Sequence, residues 1–381
     1  MKPIKYICFY DTKANEEQKR AVSLAAENKV KYLSETLAKL GYSIEIVNPA
    51  WTYGNFSCKA KRYEAAEHIF VKLFFSFPWK KSKLSKMFSI FYQMLQLFCY
   101  LLCQIKKDET VIVYHSLYYA PVFNLLKKIK RFRLILEAEE IYTDVKPYSS
   151  FLIKSEYKAF KNADGFLFAN HLLSDKINKA KKPNVVFNGT YTPKDIIAEK
   201  FSDGKIHLVY SGIVDAHKGG ATVSVRAAEF LPENYHLHIL GFGNDRDIEA
   251  LKEEIKTVSQ KTPCRITYEG VLYGEDFQKF LQSCHIGLST QNPEKKYNDT
   301  SFPSKVLVYL TNGLRVVSSD IPVVTGSTVG ELVDYYQENS PSAIAQVITG
   351  ISIHEQIDRH TALKEIDRKF TKELETLLQN K

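Results

Sequence analysis

Apolar runs of four to eight residues recur along the chain, and most precede a stretch whose apolar positions have helical spacing. Residues 5–9 are such a run. Residues 16–40 carry the helical pattern and stop at Gly41, a residue suited to the left-handed turn that ends helices. Residues 43–47 alternate as a second strand, closed by Pro49. Strand, helix, strand is the opening of a parallel sheet. Residues 52–67 are polar and predict irregular structure. TVIVYHS (110–116) predicts a buried strand, a helix follows through Leu125 and Lys130, and RLILEAEE (133–140) predicts a strand ending in acids. GFLFAN (165–170) and NVVFNG (184–189) are further short strands. Residues 193–204 are polar and predict a linker. The pattern then restarts: IHLVYSG, helix, HLHILGFG, helix, RITYEGVL, helix, HIGLSTQ, loop, helix, LRVVSSD. Two successive βα domains follow, 1–200 and 201–355, with a charged amphipathic helix over 356–381 that is free to return to the first domain.

Residues 77–105 break this rhythm. A basic aromatic patch, with Phe77, Trp79, Lys80, Lys81, Lys83 and Lys86, leads into residues 88–105, which carry no charge for 18 residues. That is the lower limit for a membrane-spanning helix, but three Gln interrupt it and a strand follows at once, so a helix docked on the sheet is expected. For the patch two readings stand: a solvated loop whose aromatics cover the core, or a face resting on an anionic bilayer.

Composition narrows the field. The 381 residues, 45% of them hydrophobic, can fill two cores. A net charge of +9 suits anionic small ligands or an anionic membrane, and no nucleic-acid motif accompanies it. The six Cys form no C-x-x-C pair, and Cys99 and Cys103, four apart in an apolar stretch, have no His cluster nearby, so no metal site is expected. The start, MKPIKYICFYD, has too short an apolar run for a signal peptide, and the expected location is cytoplasmic.

In open α/β sheets ligands bind beyond the carboxyl ends of the strands. In the second half each strand end carries a small or anion-friendly residue. YSG is followed by DAHKGG, where Gly212 permits close backbone approach and Lys218 opens a helix. LGFGND has Gly241 and Gly243 in a G-x-G turn, but Arg246 stands where a dinucleotide fingerprint needs a third Gly. YEGVLYG ends a third strand. SFPSKVLVYLTNG (301–313) predicts a helix with Ser301 or Ser304 as cap, Pro303 near its first turn and Gly313 after its end. Lys305 and the free N–H groups there suit a diphosphate.

This series resembles the retaining nucleotide-sugar glycosyltransferases of the GT-B fold. YSGIVDAHKGG is similar to the family's phosphate loop, and FPSKVLVYLTNGLRVVSSD to its P-S-K…E-Y…G-x-P-V-V segment. FLFAN…NVVFNGT resembles the end of its first domain, VYHSLYYAP its strand-end His, and RLILEAEEIYTD its acidic strand end. The resemblance implies an α/β chain with two Rossmann-like domains facing across a cleft. It implies a nucleoside-diphosphate sugar of UDP or GDP type as donor, with no further cofactor and no metal. The donor would meet Gly212, Lys218, Gly241, Gly243, Val271, Leu272, Thr300, Ser304 and Lys305. His115, Glu139, Glu140 and Asp299 would serve the sugar or the acceptor. A glycan or lipid-linked acceptor of polysaccharide biosynthesis would fit a protein at the inner face of the membrane.

The pattern departs from the family at several points. Two Glu are expected; the second would fall at Val308, and the first at Thr300, beside Asp299. The Arg expected after Gly212 is Ile213, and the Pro expected after Gly313 is replaced across Leu314-Arg315. A catalytically silent subunit that stabilises a partner, and a nucleotide-sugar epimerase, are the alternatives these departures leave open.

Overall fold

The computed structural model describes residues 1–10, 17–21, 24–79, 82–142, 148–216, 219–294, 301–353 and 358–379. The chain divides into two compact units, Met1–Gly189 with Phe370–Lys381, and Thr190–Lys369.

The first unit is one eight-stranded sheet. Its strands are β1 (Lys2–Ile7), β2 (Tyr42–Asn48), β3 (Lys61–Ala66), β4 (Ile69–Leu73), β5 (Thr110–Tyr114), β6 (Arg133–Ala138), β7 (Gly165–Phe168) and β8 (Asn184–Val186), in the order β3-β4-β2-β1-β5-β6-β7-β8. All neighbours run parallel except β3 against β4. The central strands are buried on both faces, which is why they read as unbroken apolar runs. Helices α1 (Leu24–Lys39), α2 (Lys83–Gln104), α3 (Ala120–Ile129), α4 (Ser150–Asn162) and α5 (His171–Ile177) supply the crossovers.

Two expectations change here. The helical pattern expected over residues 16–40 is broken: Glu17 and Gln18 are helical, residues 19–21 are not, and the long helix spans Leu24–Lys39. Lys19 has φ +47, and Arg20 is buried and donates to the carbonyls of Ala50 (2.7 Å) and Phe74 (2.6 Å), so this segment ties loops together instead of continuing a helix. Residues 61–66, expected to be irregular, form β3. It is an exposed edge strand, so its sequence KRYEAA carries no buried face to betray it.

Helix α2 is docked on the sheet over its C-terminal half, where Leu97 and Leu101 join the core. Its N-terminal half is turned the other way. Ser89 and Gln93 face inward, with Gln93 and Gln96 each donating to the Phe75 carbonyl at 2.8 Å. Leu84, Met87, Phe88, Phe91 and Leu95 face outward, Leu84 79% and Phe91 66% exposed. Among the described residues α2 is the one helix long and apolar enough to cross a membrane.

The second unit is a six-stranded, fully parallel sheet. Strands β9 (Ile206–Ile213), β10 (Tyr235–Phe242), β11 (Arg265–Gly270), β12 (Ile286–Ser289), β13 (Arg315–Ser319) and β14 (Asp334–Tyr336) lie in the order β11-β10-β9-β12-β13-β14. Counted from β9 this is 3-2-1-4-5-6, the dinucleotide-fold order, and it reverses between β9 and β12. Helices α6 (Gly220–Ala227), α7 (Asp245–Ser259), α8 (Gly274–Ser283), α9 (Ser304–Thr311), α10 (Pro322–Thr325) and α11 (Pro341–Gly350) accompany it. The last helix, α12 (Arg359–Gln379), places Phe370 in the first unit, stacked on Phe187 at 4.8 Å, and its Leu378 carbonyl accepts from Arg133 at 2.9 Å.

Candidate functional site

The strand order of the second unit locates a ligand crevice before any side chain is considered. The reversal lies between β9 and β12, and the carboxyl ends of the strands flanking such a reversal are where open α/β sheets bind ligands. Gly212, near the end of β9, lies in register with Gly241 on β10. No side chain fits at Gly241, because a Cβ there would stand 1.9 Å from the Gly212 carbonyl oxygen. Gly243 is as tightly bound to the next turn, with a Cβ position 2.3 Å from the Val214 oxygen. The two glycine turns therefore form one surface of bare backbone at the strand ends.

Helix α9 delivers a cation to that surface. Lys305 Nζ lies 3.8 Å from the centre of the Tyr210 ring, on β9. The same nitrogen is 3.1 Å from where a Cβ on Gly212 would be. The ammonium thus stands against the end of β9, at the first turn of α9 and at the reversal of strand order. Pro303, not Ser301 or Ser304, is the cap residue, with φ −73° and ψ 100° and no side-chain cap bond. Ser304 is the first helical residue and is exposed. The first-turn N–H groups meet no side-chain cap among the described residues, which suits an anion. Gly313 follows the helix with φ +78°, as its spacing predicts.

Tyr309 fixes where α9 sits. Its ring packs where Gly287 leaves room, for a Cβ there would be 2.3 Å from the ring. Its hydroxyl accepts the backbone N–H of Ser211 at 2.7 Å. Strand β12 pairs with β9 only at Leu208 and Val209, so the phenol substitutes for the missing strand partner beyond them. Burial pushes the Tyr309 hydroxyl up to about 12, which keeps it a neutral acceptor. A further tie joins the loops: Ser224 Oγ is 2.7 Å from Thr290 Oγ1, which donates to the Gly220 carbonyl at 2.8 Å. Val271 is exposed and Leu272 half-buried, directly after Gly270, whose φ is +73°. Val308 is half-buried, one turn from Ser304. Lys218, Asp299 and Thr300 lie outside the described residues.

In the first unit, His115 follows β5 and Glu139 and Glu140 follow β6. His115 is buried between the rings of Tyr142 and Phe160, with centroids at 5.1 and 5.0 Å, and its Nε2 lies 3.3 Å from the buried Glu156 Oε1. Burial lowers its pKa to about 4, against the opposing pull of the Glu140 backbone, so the ring is neutral at pH 7. Glu139 pairs with Lys29, and Glu140 is half-buried. The acid deepest in this group is Glu137, within β6. It accepts from the Tyr6 hydroxyl and stands 3.8 Å from Lys29 Nζ. Burial pushes Glu137 up to about 7, and Lys29 works the other way. Glu137 and Glu156 were missed from the sequence; an acid inside the apolar run LILEA was the available signal.

No protein-family profile and no curated protein matches this sequence. Solved structures do match its fold over the whole chain. A trehalose-6-phosphate enzyme from E. coli, bound with UDP-2-fluoro glucose, aligns with TM-score 0.65 at 11% identity, covering 99% of each chain. A trehalose-phosphate synthase from Burkholderia xenovorans, in complex with glucose-6-phosphate, gives 0.59 at 8% identity, covering 100% of this chain and 98% of that one. A sucrose-phosphate synthase from Thermosynechococcus elongatus gives 0.58 at 14% identity, covering 100% and 94%. The fold is that of the GT-B glycosyltransferases, with a parallel-sheet Rossmann-like unit in each half.

Proposed function

We propose that the chain is a glycosyltransferase that takes a sugar from a nucleoside-diphosphate donor held by the second unit. The observation that carries this reading is Lys305 Nζ against Gly212 at the reversal of strand order. A diphosphate placed there meets an ammonium, the N-terminus of α9 and two glycine turns. All of these stabilise negative charge that grows as the leaving group departs. No metal or further cofactor is required for that step. The donor-side contacts are Gly212, Gly241, Gly243, Ser304 and Lys305, with Lys218 and Thr300 in the adjoining segments. Glu139, Glu140 and Asp299 are assigned to the acceptor or the donor sugar, and His115, being buried, to positioning. One structural neighbour is bound with UDP-2-fluoro glucose and another is in complex with glucose-6-phosphate, which favours a UDP-type donor and a hydroxylated sugar acceptor.

For the acceptor, we favour a lipid-linked or membrane-proximal glycan. The support is the outward apolar face of α2, with exposed Lys83 and Lys86 at its start. An apolar stripe flanked by lysines fits an anionic bilayer, each Lys adding about 1 kcal/mol near the surface. The triple variant Leu84→Ser, Phe88→Ser, Phe91→Ser should lose flotation with anionic liposomes. If the unaltered protein does not float at low salt, the membrane assignment fails.

Val308 favours one rival reading. It stands where the family keeps a Glu for the ribose, and it can accept no hydrogen bond, so a silent subunit that binds no donor is the competing account. Release of UDP or GDP from a panel of nucleotide sugars separates the readings. A transferase releases nucleotide, faster with acceptor. An epimerase converts the donor without releasing it, and a silent subunit does neither.

A further inference from the structure

The opposite end of the second sheet carries a group of histidines that the donor site does not use. His207 and His236 are register partners on β9 and β10, and His238, two residues on, shares their face. All three are buried, and one ring nitrogen of each lies within 4.8 Å of the others. His207 is the second residue of β9. Gly212 lies five residues further on, about 16 Å at strand rise.

The hydrogen bonds fix the proton on each ring. His207 Nε2 is 2.8 Å from Asp203 Oδ1, and His238 Nδ1 is 2.7 Å from Glu269 Oε1. Carboxylates only accept, so both nitrogens carry N–H. Thr267 donates its hydroxyl to Glu269, so at 3.0 Å from His236 Nε2 it accepts, and that nitrogen carries N–H as well. Three nitrogens are left with bare lone pairs: His207 Nδ1, His238 Nε2 and His236 Nδ1. The first two are 2.8 Å apart, a distance at which two lone pairs repel unless a cation lies between them. The third is buried and has no hydrogen-bond partner among the described residues. A proton would satisfy the close pair and leave His236 Nδ1 bare. A metal ion satisfies all three.

We infer that His207, His236 and His238 form a binding site for a zinc-class divalent cation, with Asp203, Glu269 and Thr267 orienting the three rings. The outer shell is what a histidine metal site needs: each ligand ring donates its remote N–H to an oxygen. A tetrahedral ion at about 2.0–2.1 Å from each nitrogen sets them about 3.3 Å apart, between the 2.8 Å of the close pair and the 4.8 Å bound on the group. Imidazole is a ligand for Zn, Cu, Ni and Fe, and three rings leave one coordination position for water. Phe201, 4.3 Å from the His207 ring, and Phe280, 5.1 Å from the His238 ring, wall the group and exclude competing solvent. Asp203 and Glu269 are partly exposed and mark the route of entry. The ion would bind β9 to β10 at the end remote from the donor, so it is a fold-holding site and takes no part in transfer.

The test uses the full chain after chelator treatment and dialysis. Zn2+ titrated by calorimetry should bind at one ion per chain, and Co2+ should give the visible absorption bands of a tetrahedral nitrogen-ligated ion. His236→Gln should weaken Zn2+ at least about 100-fold, and Glu269→Gln about 10–100-fold, with the UDP-induced thermal shift retained in both. The Co2+ spectrum of the unaltered chain decides the matter even if a variant misfolds. No Co2+ bands and no Zn2+ uptake at micromolar concentration, or uptake undiminished in His236→Gln, would overturn the assignment.

Discussion

The substitution Tyr309→Phe isolates a single hydrogen bond on which the geometry of the donor helix depends. The ring stays, so packing over Gly287 is kept and only the oxygen is lost. That oxygen accepts the Ser211 N–H at 2.7 Å, and Ser211 Oγ is 3.2 Å away. Strand β12 does not reach this part of β9, so no neighbouring carbonyl replaces it. A buried N–H left unpaired costs about 1–3 kcal/mol. For a unit of this size each kcal/mol is about 2–4 °C in Tm, so a fall of roughly 4–8 °C is expected for a 2 kcal/mol loss. The assay pairs a circular-dichroism melt with amide hydrogen exchange. The Ser211 amide should lose protection while amides in β13 and β14 keep theirs. A Tm within about 1 °C of the unaltered protein, with Ser211 still protected, would refute the role given to the phenol.

Other consequences are as direct. In Gly241→Ala the new methyl would lie 1.9 Å from the Gly212 oxygen, so the paired strand ends must separate. A loss of at least about 1–3 kcal/mol in urea melts is expected, together with loss of the nucleotide thermal shift; an unchanged melt and shift would contradict the packing described. His115 is held at about 4 by burial, against about 6.5 in the unfolded chain, so it adds stability above pH 6.5 that is lost as pH falls toward 4. At 1.36 kcal/mol per pKa unit that is about 3 kcal/mol at most. The difference in stability between the unaltered chain and His115→Gln should therefore slope across pH 4–6.5 and be flat above it, and a flat difference throughout would refute the burial argument.

Much of the fold was legible because the central strands of both sheets are buried on both sides. TVIVY, RLILEA, IHLVYSGI and YHLHILGF announce themselves by composition alone. Strand β3 did not, because an exposed edge strand need not differ from a loop in its residues. Helix α2 was visible as an apolar stretch, but not the direction of its faces: inward Gln93 and outward Phe91 reverse the usual order, because the Phe75 carbonyl selects amide donors for the inner face. At the site, Gly212, Gly241 and Lys305 could be read from position after strands or at a helix start. Tyr210 and Tyr309, which hold the lysine and the helix, carried no local signal. The histidine group carried one that went unread. HLH within a strand puts both rings on one face, and IHL at the start of the preceding strand supplies the third.

The central claim is that Lys305 meets the diphosphate of a nucleotide donor. Two unit charges 4 Å apart at an effective dielectric of 20 interact by about 4 kcal/mol, and solvent access reduces this to about 1.4–2.7. Ligand-free Lys305→Met gives up the contact with Tyr210, worth about 0.5–1 kcal/mol, so its fold should survive. Calorimetric titration with UDP, and with GDP in parallel, is the decisive measurement. The account predicts that one of them binds the unaltered chain and binds Lys305→Met about 10–100-fold more weakly. Equal affinity in the two proteins, or no nucleotide binding by the unaltered chain, would contradict it.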